Sequence, residues 1–114
     1  NFDHLSNTLK FHINELKNVT ESITGLLIDG ELADASGSAT PFLKMFGQVL
    51  GGHYMGKALV KAHEKFTESN DEFYKDKITL SKFYLEQLLP LASGYIDAIK
   101  SGNEDLFKIK SNNF

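Results

Sequence analysis

Thr40-Pro-Phe-Leu-Lys-Met-Phe-Gly47, Gln48-Val-Leu-Gly-Gly-His-Tyr-Met-Gly-Lys57 and Ala58-Leu-Val-Lys-Ala-His-Glu-Lys-Phe66 run on without a break, and their reading decides the fold. Thr40 is placed to cap a helix whose first residue is Pro41, where a missing backbone N–H costs nothing. Phe42, Met45, Phe46, Val49, Leu50, His53, Gly56, Leu59, Val60, His63 and Phe66 then recur at three- and four-residue steps, the period of a helix that buries one face. Gly47, Gly51, Gly52 and Gly56 lie inside it. Each costs about 1 kcal/mol relative to alanine in a helix interior, so propensity does not select them. Their four-residue spacing predicts a side-chain-free stripe used for close helix packing or as an interface.

Two look-alikes in the same stretch fail on chemistry. Gly51 to Lys57 has P-loop spacing, but Ala58 stands where a magnesium-binding Ser or Thr is needed, and the helical period runs straight through. Pro41 to Val60 is long and fairly apolar, yet Lys44, Gln48, His53 and Lys57 fall across its middle. A lysine near a bilayer centre costs about 3 kcal/mol, so no membrane span is expected.

Outward from this helix, Phe2, Leu5, Leu9, Ile13, Leu16, Val19, Ile23 and Leu26 trace an earlier apolar face, with Asp3 as its expected N-cap and Gly30 as its stop. Ser36-Gly37-Ser38 reads as a loop. Ser69-Asn-Asp-Glu72 has capping-box spacing. A third face then runs from Phe73 through Tyr84, Leu85, Leu88 and Leu89 to Ile99, with Pro90 as a kink and Gly102 as the stop. Asn103 to Phe107 predicts one more short turn. No strand alternation appears, so the expectation is an all-α antiparallel helical bundle of three long helices plus a short C-terminal helix. Its core should include Leu9, Leu16, Ile23, Phe46, Leu50, Leu59, Tyr84, Leu88 and Ile99. Residues 1–107 should form a single domain and 108–114 a frayed tail.

The charge balance excludes several functions. A net charge of −3 gives no basic footprint for nucleic acid. All 12 basic residues are lysine, so no guanidinium fork can clamp a phosphate. Cysteine is absent, which removes disulfides and thiolate chemistry. His4 and His12 are eight residues apart, too far for a paired metal site, and read as surface or boundary residues. No Glu-x-x-His pair, second zinc histidine or serine elbow is present. No catalytic, cofactor-binding or metal residue is therefore expected. The chain opens on Asn1 without a signal-peptide pattern, and we expect a cytoplasmic piece of a longer polypeptide.

Two blocks exceed generic helix. Pro41-Phe-Leu-Lys-Met-Phe-Gly47 with Gly51-Gly52 is one. Phe73-Tyr-Lys-Asp-Lys-Ile-Thr-Leu-Ser-Lys-Phe-Tyr-Leu-Glu-Gln-Leu-Leu-Pro90 with Ala98-Ile-Lys-Ser-Gly102 is the other. In order and spacing they resemble the extra C-terminal helical domain of a large subgroup of acyl-CoA dehydrogenases. Among the departures, Phe42 replaces a tyrosine, Lys44 and Lys82 stand where arginine is more frequent, and Ser81 where alanine is. The resemblance implies an FAD-dependent parent that oxidises acyl-CoA to 2-enoyl-CoA. In such a parent the flavin, the acyl-CoA and the glutamate base belong to upstream domains. It further implies a structural domain that binds no FAD itself, packs on those upstream domains and supports the homo-oligomer or the active-site region. The competing expectation is a free-standing helical adaptor that meets a protein partner through the glycine-lined helix.

Overall fold

The structure is a computed structural model that describes residues 2–101 and 108–113. The described residues are almost wholly helical and contain no strand. Helix α1 spans Asp3–Ile28, α2 Leu32–Gly37, α3 Ala39–Ser69 and α4 Glu72–Phe83. The helical path then continues as a π-turn over Tyr84–Leu88, a 3₁₀ stretch over Leu89–Tyr95, and α5 over Ile96–Lys100. This is the all-α bundle that the three apolar stripes predict. Its principal extents, 63 × 30 × 16 Å, make it a flattened slab. The stop at Gly102 and the short turn over residues 103–107 lie outside the described residues. In the tail, Ser111–Asn113 makes one 3₁₀ turn.

Chain reversals account for the topology. After α1, the Gly30 N–H donates to the Leu27 carbonyl (3.2 Å) and the Glu31 N–H to the Leu26 carbonyl (2.8 Å). Gly30 takes φ +80°, the left-handed backbone this C-cap motif requires. At the other end of the central helix, Asn70 takes φ 55°, which a short amide side chain tolerates better than most. Asp71 follows and caps α4, accepting from the Phe73 N–H at 2.9 Å. α3 and α4 are thus antiparallel neighbours joined by two residues, Asn70 and Asp71. Phe2 lies edge-on to His63 at 5.2 Å, so α1 also runs antiparallel to α3.

The predicted helix starts shift slightly. α3 begins at Ala39, so Pro41 is its third residue and Thr40 is not the cap. The preceding Ser38 is 1 % exposed, and its hydroxyl lies 2.9 Å from the Asp34 carbonyl and 2.5 Å from that of Ile99. That tie fixes the α2–α3 corner against α5. Asp3 is the first residue of α1 and not its cap, a place filled by Phe2 without a side-chain bond. Asp71, one residue before the expected Glu72, does the capping that the Ser69 box was expected to do. Its carboxylate reaches the second amide of the helix, whereas Ser69 still belongs to α3.

The core also differs from the predicted set. Leu59 and Ile99 are buried, with Leu9, Leu16, Ile23 and Tyr84 packed partly buried against them. Phe46, Leu50 and Leu88 are exposed. Leu5, Val19, Met45, Val49, Leu85, Leu89 and Ala92 fill the interior instead. For Phe46 and Leu50 the reason lies in α3, which carries apolar residues on two opposite faces, so its period does not say which face turns inward. Leu88 ends the π-turn, where the regular helical period is broken. Asp71→Ala should lower stability by about 1 kcal/mol, read from chemical denaturation, because it removes a cap bond and nothing buried.

Candidate functional site

Proline organises the most irregular segment. Pro90 has no N–H to give and its ring crowds the preceding turn. The helix widens ahead of it, where the Leu89 N–H reaches back five residues to the Tyr84 carbonyl, and tightens to 3₁₀ after it. Interruptions of this kind leave backbone groups in need of partners. Gln48 of α3 supplies one: its side-chain amide donates to the Leu88 carbonyl, while its backbone carbonyl accepts from the Tyr84 hydroxyl at 2.7 Å. Burial pushes the Tyr84 phenol above its usual pKa.

The glycines of α3 have unequal surroundings. A Cβ at Gly51 would strike the Tyr84 hydroxyl, and at Gly52 it would come 2.9 Å from a Leu89 methyl. At Gly56 it would lie 3.2 Å from a Leu9 methyl, whereas at Gly47 nothing stands within 4 Å. Gly51 and Gly52 therefore sit under the π-turn and the 3₁₀ stretch, and Gly56 under α1. Gly47 opens outward among Leu43, Phe46, Leu50 and Tyr54, all of them exposed.

Beside Gly56, α1 and α3 diverge and leave an open groove of about 580 Å³ lined by Phe2, Leu5, Leu9, Leu59, Val60 and Leu85, with Lys57, Lys61 and Glu64 at its rim. Lys61 and Glu64 pair at 3.8 Å in solvent. The Lys57 ammonium lies 6.0 Å from the Tyr54 ring. The P-loop look-alike is continuous α-helix, so its backbone amides are spent on intrahelical bonds and cannot cradle a phosphate. With no arginine in the chain either, these residues do not fit a flavin pyrophosphate.

One cluster escaped the sequence reading. His12 is 4 % exposed, a buried residue and not the surface or boundary one expected. Its Nδ1 lies 2.9 Å from Glu15 Oε1, and the Ser93 hydroxyl donates to the same oxygen at 2.6 Å. A serine, a histidine and an acid thus meet across about eighty residues. The geometry is not that of an activated nucleophile, which needs the serine on one ring nitrogen and the acid on the other. Here both donors converge on one carboxylate oxygen, pinning α1 to the segment after Pro90. A signal for burial did exist: Leu5, His12 and Val19, the buried residues of α1, are seven apart. Among the described residues no group of three or more His, Asp or Glu could hold a metal ion.

A family model described as "Acetyl-CoA dehydrogenase C-terminal like" matches residues 1–110. No curated protein and no solved structure matches the chain. The chain belongs to this family and is a C-terminal domain of the acyl-CoA dehydrogenase kind.

Gly51→Leu should lower stability by about 1–3 kcal/mol, since the new side chain must displace a tyrosine held by Gln48. Gly25→Ala, in a place with nothing within 4 Å, should raise it by about 1 kcal/mol. Thermal unfolding of the two variants checks both signs. Tyr84 adds a pH test. Its phenol pKa is raised on folding, so its contribution is complete below the ordinary tyrosine value of about 10. That contribution is lost as pH rises through the folded value. Tyr84→Phe should flatten the alkaline fall in stability, measured by denaturation across that range.

Proposed function

We propose that this chain is a non-catalytic accessory domain of an FAD-dependent acyl-CoA dehydrogenase that converts acyl-CoA to 2-enoyl-CoA. Residues 1–107 act as one unit of a longer polypeptide, packing on its upstream domains and supporting its dimer, and the glycine-lined helix provides the packing and interface positions. FAD and acyl-CoA are held by the upstream domains. The observation that carries the reading is the two-faced α3. A helix apolar on both sides is normally enclosed, yet Leu43, Phe46, Leu50 and Tyr54 lie outside the core. An accessory domain needs such surplus apolar surface; a self-contained enzyme does not. The chemistry agrees: among the described residues the acids, the half-buried Glu15 and Asp34 apart, are spread over exposed helix faces with no oxyanion-stabilising constellation beside them.

Titration of the chain with FAD and with a long-chain acyl-CoA at physiological salt should give no stoichiometric micromolar binding. Weak attraction of the CoA phosphates to lysines should vanish as salt rises. Purification of the polypeptide encoded by the whole gene should yield bound flavin. Stoichiometric binding by the chain alone would contradict the reading, and a gene encoding no upstream flavin domains would favour the helical adaptor.

A further inference from the structure

We propose that the outer face of α3 is a twofold contact with a second copy of this chain, the two α3 helices lying antiparallel. Such a contact is the dimer support of the accessory-domain reading, given a location. Leu43, Gly47, Leu50, Tyr54, Lys57 and Lys61 alternate steps of four and three residues, the spacing of a straight helix–helix seam. Leu43, Phe46, Leu50 and Tyr54 are 41 to 69 % exposed. Together they offer on the order of 400 Å² of apolar surface, about half of what each partner gives a standard interface and the size of a functional patch on a monomer.

The occupant follows from shape and charge. A twofold contact must be its own complement. About an axis beside Gln48 and Val49, Leu43 faces the partner's Tyr54, and Leu50 faces the partner's Gly47, where nothing stands within 4 Å. Knob thus meets notch on both sides. The groove between α1 and α3 is concave and cannot complement itself, so it suits a different surface, such as an upstream domain. Charge sets the direction. A parallel pair would stack Lys57 on Lys57 and Lys61 on Lys61. The antiparallel pair instead sets Lys57 against the partner's Thr40 and Lys61 against the partner's Ser36, so like charges are kept apart.

The chain has no cysteine, so single-cysteine variants report the register cleanly. Light scattering at tens of micromolar should give twice the chain mass, and Tyr54→Lys should weaken association about tenfold or more with helicity unchanged. Under mild oxidation, Leu43→Cys mixed with Tyr54→Cys should form a mixed disulfide dimer. Neither variant alone, nor Ser6→Cys, at a residue that also lines the groove between α1 and α3, should cross-link efficiently. A chain that remains monomeric at these concentrations, a Leu43→Cys homodimer, or equal cross-linking through Ser6→Cys would overturn the proposal. None of those results bears on whether the long polypeptide carries flavin, so the two readings fail separately.

Discussion

The helical path from Tyr84 to Lys100 rests on the close approach of its first residues to the glycine side of α3. Tyr84 lies over Gly51 and Leu89 over Gly52. This contact lets the interrupted helix lie close enough for one residue, Gln48, to bond both the Tyr84 hydroxyl and the Leu88 carbonyl. A side chain at either glycine would lift the segment away and leave the Tyr84 hydroxyl and the Leu88 carbonyl to water. The helix-propensity cost of the two glycines, about 1 kcal/mol each, is offset by the packing and hydrogen bonds their absence of side chain permits.

From this contact the interior follows. Leu85, Leu89 and Ala92 drop between α3 and α1, where Met45, Val49 and Leu59 meet Leu5 and Val19. The His12–Glu15–Ser93 cluster closes the same seam from the α1 side. Ser38 holds the far corner to Ile99. With the inner face of α3 filled in this way, its opposite apolar face is left over. That surplus is what an assembly surface requires.

The helical character, the number of long helices and the proline interruption were legible because each is written locally. Period, capping residues and Pro90 lie within a few residues of what they determine. Gly30 shows how far such signals carry, since only a left-handed position there closes the C-cap of α1. What was not legible is orientation. α3 has two apolar stripes, and choosing Phe46 and Leu50 over Met45 and Val49 needs knowledge of its neighbours. His12 differs: its seven-residue spacing with Leu5 and Val19 signals burial, but its cluster does not show in the sequence because Ser93, which shares its carboxylate partner, is distant. Thr40 misled because Ser38, two residues earlier, is drawn into the corner by Ile99.

The most direct test of this arrangement is a nuclear Overhauser spectrum of the chain in solution. The account predicts cross-peaks from the Tyr84 ring to the Gly51 α-protons and from the Leu89 methyls to those of Gly52. Cross-peaks placing Leu50 or Phe46 among the methyls of Val19 and Leu85, with the glycine contacts missing, would mean that α3 is turned the other way and would contradict it.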